Sequence, residues 1–284
     1  MQLKQTLIVT SLITGGVLVF SGNNAASAMT LNKQVKVQPI QVCNDAGADC
    51  AKIGFFEAET DKIWAQAGID IKFLNSLQLN GTDFLSVDIG QDEHVDLYQA
   101  GNDIAGNPVQ TMFINMYFVD DIIDTDGDMS EILDEVGDIF GLGCGAPIFA
   151  GVCGGETGVI IADEVFSYNA GIGRLDTIAH EIGHVLGLTH NGFGAGGAEN
   201  FMTSGGSRSV PSSINDIAPD GLNLDQMTQA QIDEVLTNDP QAATFVKPKP
   251  VPEPSAILAL ASMGVLGLYT KLKSEIKALK GTSY

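Results

Sequence analysis

Apolar and polar positions change rhythm several times along this chain, and each change predicts an element. Residues 35–42 (VKVQPIQV) alternate with β-branched side chains, the period of a half-buried strand, and Pro39 pushes that strand toward an edge or a bulge. After a loop between Cys43 and Cys50, residues 53–67 carry Phe56, Ile63 and Trp64 and stop at Gly68, which predicts a helix with Trp64 in the core. Residues 69–74 alternate as a second strand. From 75 to 107 the rhythm weakens to short strands such as 84–87 between polar loops. His94 follows Gln91, Asp92 and Glu93, where a solvated histidine in an acidic loop is the expectation and a fourth metal ligand the alternative. Residues 112–119 are apolar enough for a strand buried on both faces, and 158–163 form another. Thr228 and Gln231 form a capping box opening a last helix over 229–237.

The stretch 177–190, TIAHEIGHVLGLTH, has a different organisation, and a helix opening at Arg174 or Leu175 is predicted to carry it. It holds three of the four histidines of the chain. On a helix, positions four apart lie about 40° from each other, so His180 and His184 project from one face. Glu181 lies about 100° round from His180, beside a metal held there but badly placed to bind it. Ile178, Ile182 and Val185 occupy the opposite face and predict burial against a sheet. A straight helix would carry His190 about 15 Å past His180, and Gly187, free to adopt positive φ, lets the chain turn back. Three imidazoles leave a fourth position open, the pattern of catalytic zinc, at which Glu181 would take a proton from an activated water. The bland alternative, a surface helix with incidental histidines, requires three of four to fall together by chance.

The string HEIGHVLGLTH resembles the zinc signature of the metzincin metallopeptidases, and Glu199-Asn200-Phe201-Met202-Thr203-Ser204-Gly205-Gly206 is similar to their methionine turn. The resemblance implies an α+β, zincin/metzincin-like fold: a twisted, mostly parallel sheet, an active-site helix and a small irregular C-terminal subdomain. It further implies zinc on His180, His184 and His190, Glu181 as general base, Met202 beneath the metal, and a secreted zinc-dependent endopeptidase acting on protein or peptide substrates. The strand, helix, strand opening resembles the upper half of such a domain, 146–150 would be the edge strand pairing with substrate, and 207–219 the loop shaping the specificity pocket. Asn191 after the third histidine departs from the matrixin, astacin, adamalysin and serralysin branches, and no tyrosine follows Met202 within the domain. The rival reading is a non-catalytic surface or matrix adhesion protein that keeps the fold and the zinc, and it leaves Glu181 without a purpose.

Both ends read as addresses. Residues 1–28 combine Lys4, an apolar run over 7–20 and Ala26-Ser27-Ala28, a signal peptide pattern, with a retained anchor as the alternative. The catalytic domain is expected over 29–239 and a proline-rich linker over 240–250. Residues 251–284 (VPEPS, an apolar stretch over 256–270, then Lys271, Lys273, Lys277 and Lys280) resemble a PEP-CTERM sorting signal. Fifteen residues make a helix of about 22 Å against a hydrocarbon core of about 30 Å. The resemblance implies an exosortase-like enzyme as partner, only transient membrane contact through the tail, and delivery to the cell surface or extracellular matrix of a bacterium. A plain single-pass anchor is the alternative.

Composition narrows the partners. Between Met29 and Pro250 stand nine Lys and Arg against thirty-three Asp and Glu, a surface that repels phosphate backbones and excludes nucleic acid as an expected partner. Asp124, Asp126 and Asp128 are spaced to converge on one Ca2+, with a solvated acidic loop as the alternative; the glycine at 127 falls one place early for an EF-hand. In an exported chain four cysteines suggest disulfides, and Cys43 with Cys50 and Cys144 with Cys153 is the simplest of the three possible connectivities; metal binding by the cysteines is the alternative, disfavoured because the histidines already account for the zinc.

Overall fold

The computed structural model describes residues 33–106, 113–125, 139–145 and 153–237. The order is β1 (Lys33–Cys43), α1 (Glu57–Ala65), β2 (Ile69–Phe73), β3 (Leu77–Asn80), β4 (Ser86–Asp88), α2 (Glu93–Ala105), β5 (Ile114–Val119), β6 (Asp121–Ile123), β7 (Gly141–Cys144), β8 (Gly158–Ala162), α3 (Glu164–Gly171), α4 (Thr177–Val185) and α5 (Gln229–Thr237). The main sheet runs β2-β1-β5-β8-β7, with β3 also on β1. Every pairing in it is parallel except β7 against β8. This is the mixed, mostly parallel architecture expected. Between α4 and α5 the chain runs through turns, isolated bridges and one short 3-10 turn, Ile214–Asp216.

Side chains of β5 and β8 are buried on both faces, and their alternation divides the core. Met116, Phe118, Val159 and Ile161 point toward Ile63 and Trp64 of α1 and Ile178, Ile182 and Val185 of α4. Tyr117, Val119 and Ile160 point the other way, toward Leu97 and Tyr98 of α2. Helices therefore cover both faces of the sheet, with α4 held from beneath by a continuous apolar layer.

Pro39 does not mark an edge or a bulge. β1 is an interior strand whose register with β2 ends at Val37↔Phe73 and whose register with β3 begins at Ile40↔Leu77. The residue without an N–H thus falls where the neighbour changes, and Gln38 Nε2 bridges the interval by donating to the carbonyl of Asn75 at 2.7 Å. α1 starts at Glu57, not 53, because Phe56 adopts a left-handed conformation (φ 40°), while Phe55 stacks on Phe73 at 4.8 Å. Around 84–87 a 3-10 turn over Thr82–Phe84 precedes a strand that begins only at Ser86.

The larger correction is His94. It is a fully buried residue of α2, packed edge-to-face on Tyr98 at 6.2 Å, and not a solvated loop side chain. Its helix buries His94, Leu97, Tyr98 and Gly101 as a stripe. At the last of these positions the Tyr117 ring occupies the space a Cβ would need, so only glycine fits. At the other end of the chain, the capping box of α5 forms as expected: Thr228 N donates to Gln231 Oε1 at 2.8 Å and Gln231 N to Thr228 Oγ1 at 3.1 Å. The segments 1–28, 240–250 and 251–284 lie outside the described residues, among which no helix is long and apolar enough to cross a membrane.

Candidate metal centre

α4 begins at Thr177, after the Arg174 and Leu175 expected to open it, because Arg174 and Asp176 commit their side chains to a buried ionic cluster at its N-terminal end. Ile178, Ile182 and Val185 are fully buried, as the spacing requires. The helix ends in a glycine turn: Gly187 takes φ 92°, its N–H donates to the His184 carbonyl at 3.1 Å, and Leu188 N donates to the Gly183 carbonyl at 2.9 Å. That reversal brings His190 back against the two helical histidines.

The three Nε2 atoms then lie at the corners of a small triangle, 3.0 Å from His180 to His190, 3.1 Å from His184 to His180 and 3.1 Å from His184 to His190. Nitrogens bound to one ion at about 2.0–2.1 Å in near-tetrahedral array stand roughly 3.3 Å apart, so the donor set fits a metal. Both helical rings are turned by backbone acceptors. His180 Nδ1 lies 2.6 Å from the Phe201 carbonyl and His184 Nδ1 2.9 Å from that of Leu188, which puts the ring proton on Nδ1 and the lone pair on Nε2. Burial pushes His184 down to about 3, with the His190 ring as the next cause. Burial, and after it the Arg208 guanidinium, holds His180 well below the ordinary histidine range. Both are therefore neutral at physiological pH, the form in which imidazole binds a metal. Among the described residues this is the one group of three or more His, Cys, Asp or Glu side chains close enough to hold an ion, and His94 is not part of it.

Glu181 follows the first of these histidines and is itself largely buried. Its side chain lies along β7, where a Cβ on Gly141 would stand 2.7 Å from Glu181 Cγ. A Cβ on Gly143 would stand 2.8 Å from His184 Cβ and closer still to the Glu181 carbonyl, and one on Gly145 would meet the Val185 carbonyl at 2.5 Å. Alternate glycines thus allow α4 to settle onto the edge of the sheet, a role the sequence reading missed although the i, i+2, i+4 spacing was visible. The expected edge strand at 146–150 lies outside the described residues; β7, with β8 on one side, is the terminal strand of the described sheet.

Met202 is fully buried beneath α4, with its Sδ in the space where Gly183 lacks a side chain. Its N–H donates to Asn200 Oδ1 at 3.0 Å, and Phe201 packs edge-to-face on Trp64 at 5.7 Å. The disulfides Cys43–Cys50 and Cys144–Cys153 are both formed, the local pairing expected. Of the three aspartates proposed for Ca2+, Asp124 directly follows β6, while Asp126 and Asp128 lie outside the described residues.

Residues 250–273 match the PEP-CTERM protein-sorting motif. A motif of this kind implies export, sorting to the surface and processing by an exosortase-like enzyme. No curated protein gives a significant match to the chain.

Proposed function

We propose that the chain is an exported zinc-dependent endopeptidase of metzincin type. The observation that carries this reading is the triangle of three imidazole nitrogens, 3.0–3.1 Å on a side, with Glu181 as the neighbour of one ligand. An all-imidazole set of neutral nitrogens suits zinc better than calcium or magnesium, which prefer oxygen. Held there, zinc would supply Lewis acidity, polarising a peptide carbonyl and acidifying water. Glu181 is the base that takes the proton as the peptide carbonyl is attacked and returns it to the departing amine. His180, His184 and His190 hold the ion, and Met202 fills the floor under α4.

The leader, the tail and the PEP-CTERM match support a route through the inner membrane, with transient anchoring by 256–270, to the cell surface or matrix. Glu181→Ala is expected to keep one zinc per chain and to lower hydrolysis of a mixed peptide library by about 10²–10⁴-fold, the usual contribution of a positioned base. His190→Ala is expected to weaken zinc binding itself. Zinc bound with no cleavage by wild type, with or without a chelator, would favour the adhesion role and sink the enzyme.

A further inference from the structure

Beside the histidines lies a buried ionic cluster that neither zinc binding nor proton transfer has called upon. The Arg208 side chain is 2 % exposed and its Nε pairs with Asp176 Oδ2 at 2.6 Å. Its Nη1 reaches the Thr203 carbonyl at 2.6 Å and the Phe201 carbonyl at 3.1 Å, and lies 2.5 Å from His180 Nδ1. Arg174 flanks the same aspartate, with Nε 3.9 Å from Asp176 Oδ1, and donates from Nη2 to the Gly205 carbonyl at 3.0 Å. Asp176 is the residue before α4, and its carbonyl accepts from His180 N at 3.0 Å.

Proton counting gives this cluster a task. Guanidinium nitrogens only donate, and Nη1 has two protons. The Thr203 and Phe201 carbonyls are acceptors for both, which leaves none for the imidazole. His180 Nδ1 must then keep its own proton and give it to Phe201, and the lone pair stays on Nε2, facing the other two histidines. Were Arg208 to donate to Nδ1 instead, the ring proton would move to Nε2 and the ligand would be lost. We propose that Arg208 is a positioning residue for the metal centre: anchored by Asp176, it pins the Phe201 and Thr203 carbonyls and thereby fixes the tautomer and orientation of His180. The proposal rests on the three histidines holding a metal and not on peptide hydrolysis.

The charge and the geometry of Arg208 pull in opposite directions, since a cation near a ligand repels a dication while its hydrogen bonds orient that ligand. Arg208→Lys keeps the charge and removes the fork that spans Asp176 and two carbonyls, so it isolates the geometry. In the full chain, zinc affinity measured by chelator competition is expected to fall at least about 10-fold, the response typical of groups that orient metal ligands. The band positions and intensities of the cobalt-loaded protein should shift with it. Arg174→Lys perturbs the same cluster without touching His180, and is expected to lower the thermal midpoint of the zinc-free protein while leaving zinc affinity within about threefold. Should Arg208→Lys fail to fold, Asp176→Asn, which removes the charge of the Nε anchor at constant shape and so weakens its hold on the guanidinium, is expected to lower affinity in its place. Unchanged affinity and cobalt spectrum in a folded Arg208→Lys or Asp176→Asn, or equal losses in Arg208→Lys and Arg174→Lys, overturn the proposal. Absence of zinc binding by the wild type overturns the metal reading itself, a separate result.

Discussion

Gly141 and Gly143 share one face of β7 but confine different atoms. A methyl group on Gly141 meets the Glu181 side chain, which can swing away, whereas on Gly143 it meets helix backbone and His184 Cβ, which cannot. If the chain is the peptidase proposed, Gly141→Ala is therefore expected to leave zinc stoichiometry intact and to lower kcat, because only Glu181, the base of that proposal, is displaced. Gly143→Ala is expected to cost about 1–3 kcal/mol of stability by overpacking and to weaken zinc binding as α4 lifts; equal kinetic and zinc-binding effects of the two would refute the division. Away from the centre, burial raises the half-buried Asp61 carboxyl to about 6, with Asp70 and Glu57 adding to burial and the Ile71 N–H, at 3.1 Å, opposing it. The folded state then holds a proton that the unfolded state has released, so stability falls as pH rises from about 4 through 6. Asp61→Asn keeps an acceptor for Ile71 and removes the titration. Its thermal midpoint should exceed that of wild type at pH 7 by the few degrees that about 1 kcal/mol confers after solvent screening, and the difference should vanish at pH 4.

The elements that place the centre depend on how their ends are tied. Among the described residues β7 is a terminal strand only four residues long, and Cys144 at its end is bonded to Cys153, shortly before β8. A loop that short is worth about 2–3 kcal/mol in chain entropy, enough to decide whether the glycine face stays under α4. Replacing both cysteines by serine is expected to lower stability by that amount and to speed hydrogen exchange in β7 more than in β5; uniform exchange would show that β7 is held otherwise. α4 could be read in advance because its periodicity, its histidines and Gly187 are local signals. α2 could not, since the buried stripe of His94, Leu97, Tyr98 and Gly101 pairs two apolar residues with a histidine and a glycine that count as polar and as a breaker. Only the pocket beside Tyr117, a residue distant in sequence, makes that glycine intelligible. Pro39 misled for the same reason: the change of partner from β2 to β3 is a property of the sheet. The Arg208 cluster joins residues more than thirty positions apart, and no spacing rule announces it.

Across the whole molecule, the turn that carries Met202 is propped from the last helix. Asn200, which accepts from Met202 N, exchanges two buried amide hydrogen bonds with Gln231 of α5 at 2.9 and 3.0 Å. Gln231 is also the capping residue of that helix, and Val235 one turn on is buried in the same core as α4. Lys33 Nζ, at the start of β1, donates to the Leu236 carbonyl at 2.8 Å, so the two ends of the described chain close on each other. The folding unit should therefore end just after α5. A chain stopped at residue 239 is expected to keep the thermal midpoint and zinc affinity of the full protein while losing the tail that contains the sorting motif at 250–273. A chain stopped at 227 is expected not to fold. Gln231→Ala lies between them, since it takes from the buried Asn200 amide one of its two acceptors and one of its two donors, leaving the Gln226 carbonyl and Met202 N–H as its partners, and removes a cap, a loss of about 2–3 kcal/mol. Because Asn200 would still hold Met202 less firmly, zinc affinity should fall with it, whereas Val235→Ala, which cuts the same helix from the core without touching Asn200, should lower stability and spare the metal. Chelator competition on the two variants separates a helix that merely packs from one that supports the floor of the metal centre.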